Sequence, residues 1–213
     1  PQEDQVPQAF SMDDNGNQAL AQLGLIVIHI GYRGGSMFRG KNFYNFGYGN
    51  LRDYPLADCK FAIEQLADRY AYIDRDRVGI YGHSGGGMMA AAAILTYPDF
   101  FKVAVAASGN YDNNIYTKWW GEMYHGVKMK VKKDADGIKK YIFESKIPTI
   151  MELAANLKGK LLLVTGDMDI NVHPANTFRL ANALIKADKL FDMMVIPGAD
   201  HSIDSPYYFN LLR

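Results

Sequence analysis

The sequence predicts an α/β fold, a mostly parallel sheet with helices on both faces. Three observations carry that reading. Short apolar runs alternate with longer segments of helical spacing. The runs are apolar at successive positions, as strands buried on both sides require. Several end at a glycine, where parallel strands hand over to functional loops at their carboxyl ends.

In chain order, Leu25–Ile30 is a β-branched run ended by Gly31, and it predicts a first strand. Residues from about Asp53 to Tyr70 carry helical apolar spacing at Leu56, Phe61, Ile63, Leu66 and Ala67. Val78–Tyr81 predicts a short strand ended by Gly82. An alanine-rich helix follows from about Gly86 to Thr96, stopped by Pro98. Val103–Ala106 and Leu161–Val164 have strand length, the second ended by Gly166. Pro174–Lys186 reads as a helix with proline near its first turn. Met193–Ile196 is a last strand, ended by Pro197-Gly198. Between His125 and Ile150, Lys128, Lys130, Lys132, Lys133, Lys139 and Lys140 crowd together with Asp134 and Asp136. That stretch reads as a solvated, mobile cap or loop.

Composition bounds the function. The chain has 213 residues, 48% of them hydrophobic, enough for one domain with a core but not two ordinary ones. Lys plus Arg and Asp plus Glu are 23 each, so the net charge is zero and a nucleic-acid partner is disfavoured. Cys59 is the sole cysteine, which excludes an internal disulfide and a cysteine-based metal cluster; it reads as a packed thiol on a helix. No apolar run approaches the roughly 18 residues of a membrane span. Neither a metal nor an organic cofactor is expected. The acidic, polar start does not read as a signal peptide.

The chemistry lies at the strand ends. Gly82-His83-Ser84-Gly85-Gly86 fits G-x-S-x-G between a predicted strand and a predicted helix, the context in which a serine nucleophile is presented. The sharp turn exposes the Ser84 hydroxyl, and the Gly85 N–H at the helix start can donate to an oxyanion. The spacing G-x-x-x-x-G-K-[ST] is absent, as is G-x-G-x-x-G, so phosphate and dinucleotide binding are disfavoured. A serine needs a base, and the base an orienting carboxylate. Gly166-Asp167-Met168-Asp169 and Asp200-His201 follow later strands in the required order. Asp167 and Asp169 compete for the acid. Asp169 lies further out along the loop, and Asp167 could instead cap the turn. His201 is the candidate base. His29 lies inside a predicted strand as a core histidine, the His83 side chain is expected to point away, and His125 and His173 lack strand-end context.

These stretches resemble the catalytic domain of the prolyl oligopeptidase family, and more closely its dipeptidyl peptidase IV branch of bacterial type. Gly31-Tyr32-Arg33-Gly34-Gly35 resembles the family's D-G-R-G-S/G turn, and Tyr48–Tyr54 its approach to a long helix. Gly82–Gly87 resembles the nucleophile turn, Gly166–His173 the G-x-x-D-D/N-N-V-H segment and Asp200-His201 the histidine loop. The resemblance implies an α/β-hydrolase fold with Ser84 as nucleophile, Asp169 as acid and His201 as base. It implies that Asn171 holds a substrate carbonyl and that Val172 lines a small pocket. It places Tyr116 and Trp120 as pocket aromatics on one helix, suited to proline or alanine before the cut bond.

The implied activity is peptide hydrolysis through an acyl-enzyme with release of N-terminal dipeptides. An esterase or acylaminoacyl hydrolase on the same fold, and a catalytically silent binding domain, are the alternatives. Three positions depart from the family pattern: Gly85 replaces a tyrosine, Trp120 replaces a tyrosine, and Ile170 replaces an acid or asparagine. The family's second oxyanion donor is a tyrosine upstream of Pro1. The expectation is therefore a fragment that lacks its first strands and a β-propeller, with Leu211–Arg213 as a helix cut short. The resemblance further implies a homodimer and a periplasmic or secreted setting.

Overall fold

The computed structural model describes Val6 and residues 17–211. Within them run α1 (Asn17–Gln22), α2 (Lys41–Tyr44), α3 (Leu56–Arg69), β1 (Val78–His83), α4 (Gly85–Thr96), β2 (Phe101–Ala107) and α5 (Lys118–Tyr124). Then follow β3 (Lys128–Lys133), β4 (Lys139–Glu144), a 3₁₀ segment (Ile150–Asn156), β5 (Lys160–Gly166), α6 (Ala175–Lys186), β6 (Asp192–Ile196) and α7 (Pro206–Leu211).

Four strands form a parallel sheet in the order β1-β2-β5-β6. The parallel pairing follows from helical crossovers, with α4 joining β1 to β2 and α6 joining β5 to β6. Alternation along the strands sorts the side chains onto two faces. Ala104, Ala106, Leu161 and Leu163 face a core built with α4, α6 and the 3₁₀ segment. Val105, Ala107, Leu162, Val164 and Met194 face a smaller cluster closed by Ile203 and by Tyr208 of α7. The two faces are thus covered unequally.

Helix α4 is buried nearly all round. Ala90–Ala93, Ile94 and Leu95 are fully sealed from water. Small side chains let it lie close against β1 and β2, and alanine is also the best helix former. Burial of Ile94 and Leu95 contributes about 1.5–3 kcal/mol each. This is the part of the fold that fixes Ser84, which sits at its N-terminus.

Three expectations change here. Residues 25–30 form no strand among the described residues, and Leu25 and Ile26 are more than half exposed. Outward from β1 no described strand offers this β-branched run a ladder. His29 is accordingly exposed and not a core histidine. The lysine-rich stretch is more ordered than a loop, because β3 and β4 pair as an antiparallel hairpin. It is solvated, as expected, with almost every residue exposed. Cys59 lies on α3, and burial pushes its thiol up to about 11.

Candidate active site

β1 ends at His83 and α4 begins at Gly85, so Ser84 is the single residue of the turn. It adopts φ 57° and ψ −123°, a conformation that costs an L-residue about 1–3 kcal/mol. The surroundings hold it there. The Ser84 N–H donates to the Ala107 carbonyl at 2.9 Å, and its own carbonyl accepts the Met88 N–H at 3.0 Å. A side chain at Gly82 would collide with the Gly86 carbonyl, which is why glycine opens the turn.

The acid and the base come from the loops after β5 and β6. His201 Nε2 lies 3.0 Å from Ser84 Oγ, and His201 Nδ1 lies 2.8 Å from Asp169 Oδ2. Asp169 is 1% exposed, and three donors converge on it. The Asn171 and Val172 N–H groups donate to its Oδ1 at 2.9 and 2.8 Å, and the imidazole takes the other oxygen. With Nδ1 protonated and directed at Asp169, Nε2 is the acceptor for the Ser84 hydroxyl.

Asp167, the competing acid, has another task. Its Oδ1 accepts the Gly198 N–H at 2.6 Å, which ties the β5 loop to the β6 loop. The Met168 N–H reinforces that tie by donating to the Ala199 carbonyl at 3.0 Å. A Cβ on Gly166 would collide with the same Ala199 carbonyl, so glycine permits the two loops to touch.

Gly85 is the first residue of α4, where N–H groups lack an intrahelical acceptor and the helix end is positive. That location suits an oxyanion formed at Ser84. The Tyr116 hydroxyl donates to Asn171 Oδ1 at 2.9 Å. The Tyr116 and Trp120 rings meet edge to face at 6.0 Å. However, they do not share a helix. α5 starts at Lys118, and non-helical Thr117 precedes it, so Tyr116 lies in the bend before the helix. Trp120 packs partly into the main core and touches Tyr124 at 4.5 Å. Val172 is buried, and its main chain serves Asp169.

Three histidines have their places explained. His173 Nδ1 accepts the Ala175 N–H at the start of α6. His125 Nδ1 accepts the Leu51 N–H. His83 does not point away from the site: its ring lies 4.8 Å from the His201 ring. Burial lowers the His83 pKa, and the His201 charge lowers it further. Among the described residues no group of three or more His, Cys, Asp or Glu could hold a metal ion. Nor is any helix there long and apolar enough to cross a membrane.

Comparison with known proteins places the chain in a family. Human dipeptidyl peptidase 8 is 32% identical over 187 residues, covering 88% of this chain and 20% of that protein. The mouse protein named prolyl endopeptidase FAP is 27% identical over 183 residues, covering 85% of this chain and 23% of that protein. The crystal structure of Porphyromonas gingivalis dipeptidyl peptidase 4 superposes with a TM-score of 0.70 at 28% identity, over 85% of this chain and 24% of that one. The chain therefore spans about a fifth to a quarter of the length of these relatives. The profile described as the prolyl oligopeptidase family matches residues 10–210. With that match over nearly its whole length, the chain belongs to the prolyl oligopeptidase family.

Proposed function

We propose that this chain carries the catalytic centre of a serine peptidase that hydrolyses peptide bonds through an acyl-enzyme. The observation that carries this reading is the hydrogen-bonded line Ser84–His201–Asp169, at 3.0 and 2.8 Å. His201 Nε2 takes the Ser84 proton as Oγ attacks the substrate carbonyl carbon. Asp169 keeps the imidazole in the Nδ1–H tautomer and stabilises the imidazolium that forms. The Gly85 N–H donates to the oxyanion, assisted by the positive end of α4. His201 then gives its proton to the leaving amine. Water, deprotonated by His201, attacks the acyl-enzyme and regenerates Ser84.

The finer reading is release of N-terminal dipeptides with proline or alanine before the cut bond. It draws support from relatives named dipeptidyl peptidase and from the aromatic pair Tyr116 and Trp120 beside Asn171. In this reading Asn171 holds a substrate carbonyl, and Val172 borders the small pocket. Dimerisation and a peptide substrate belong to the same proposal.

Fluorophosphonate labelling tests the nucleophile. The protein should label at Ser84, and Ser84→Ala should not. Labelling of Ser84→Ala at an equal rate would overturn the assignment. A dipeptidyl amide and a short ester, assayed side by side, then test the substrate class. Turnover of the ester alone would replace the peptidase by an esterase.

A further inference from the structure

The hairpin of β3 and β4 carries a second surface that the catalytic reading does not use. Its register sets Met129 against Phe143 and Val131 against Tyr141. All four lie on one face, since alternate residues share a face. Their exposures are 57%, 66%, 49% and 54%. Ile138, at the turn, is 64% exposed. An isolated two-stranded hairpin is marginal in water, and this one leaves its apolar face open.

The charges point the same way. Residues 128–144 hold six lysines against Asp134, Asp136 and Glu144, a net of +3 in a chain of net charge zero. Lys132 stands opposite Lys140, and Lys133 opposite Lys139. Like charges placed directly across a ladder repel. The acids do little to relieve this. Asp134 Oδ1 accepts the N–H groups of Asp136 and Ile138 within the turn, and Glu144 pairs with Lys130 at 2.8 Å.

We infer that this hairpin docks on an anionic lipid surface. Met129, Val131, Tyr141 and Phe143 enter the boundary between headgroups and acyl chains, and Lys133 and Lys139 on the same face reach lipid phosphates along their apolar stems. One partner thereby covers the apolar face and neutralises Lys133 and Lys139, the opposed pair that shares it. Other occupants satisfy half of this. A second copy of the chain would bring its own lysines, and four side chains fall short of the roughly 800 Å² per partner buried in stable pairs. An acidic polypeptide would pair the lysines but leave the apolar face on water.

The inference stands apart from the peptidase reading, and its test needs no activity. The protein is sedimented with vesicles of phosphatidylcholine alone or with about 30 mol% phosphatidylglycerol. Binding to the anionic vesicles should exceed binding to neutral ones by about tenfold or more, and should fall in high salt. Two variants separate the contributions: Met129→Ser with Phe143→Ser, and Lys133→Gln with Lys139→Gln. Each should lose most of the binding while circular dichroism and the melting temperature of the main sheet stay unchanged. Equal sedimentation with both vesicle types, or unchanged binding by either folded variant, would overturn the inference. So would capture by polyglutamate with no vesicle binding, which would point to an acidic polypeptide. A concentration-dependent dimer abolished by Phe143→Ser, without vesicle binding, would make the occupant a second copy.

Discussion

The His83 and His201 rings lie 4.8 Å apart and are tilted by 56°. A second imidazole thus borders the base that serves Ser84. In the proposed mechanism a positive charge on His83 would oppose the imidazolium that His201 forms.

That contact links stability to pH. The His83 pKa lies below its ordinary value of 6.5, chiefly through burial and then through His201. The unfolded chain therefore takes this proton first, and the folded state loses stability as pH falls through about 6.5. His83→Phe should narrow the difference between melting temperatures measured above pH 7 and below pH 6. An unchanged difference would show that the ring titrates freely.

Asp169→Asn should lower kcat by about four orders of magnitude, as expected when the orienting acid of a triad becomes an amide. Steady-state assays on a dipeptidyl amide measure this directly. The loop is at risk too, because Asp169 also accepts the Asn171 and Val172 N–H groups. Near-ultraviolet circular dichroism distinguishes lost chemistry from a displaced loop.

Tyr116→Phe removes one hydrogen bond to Asn171 and little else. A bond of about 0.5–1.5 kcal/mol corresponds to a KM increase of up to roughly tenfold, with kcat nearly unchanged. A fall in kcat with constant KM would instead place Tyr116 in transition-state binding.

Cys59 should be sluggish toward alkylation. Its thiol is raised to about 11 by burial and then by Asp58, so near neutral pH almost none of it is thiolate. Mass spectrometry after iodoacetamide treatment should show slow modification of the folded protein and rapid modification in denaturant. Rapid modification in both states would mean that α3 opens readily.

What could be read from the sequence is what depends on neighbours along the chain. Gly82–Gly86 announces its own turn, because strand end, serine and helix start are adjacent. Asp169 and His201 follow strand ends in a fixed order, so their convergence on Ser84 was also legible. The exceptions depend on distant partners or on single capping residues. Leu25–Ile30 has strand chemistry, but a strand needs a ladder, and the run does not encode which neighbour supplies it. Tyr116 and Trp120 have helical spacing, yet non-helical Thr117 starts the helix after Tyr116. The His83 contact is with a loop more than a hundred residues away, and no local spacing foretells it. In the lysine stretch charge dominated the reading and hid the alternation of Met129, Val131, Tyr141 and Phe143.

The unequal covering of the sheet has a consequence for heat inactivation. Ser84 hangs from the end of β1 and the start of α4, and α4 is sealed in the larger core. His201 hangs from a loop on the thin side, secured by Asp167, Ile203 and Tyr208. The nucleophile and its base thus belong to regions of unequal local stability. Warming should swing the base out of reach while the serine is still correctly aimed, so turnover should fade reversibly several degrees before the secondary structure melts.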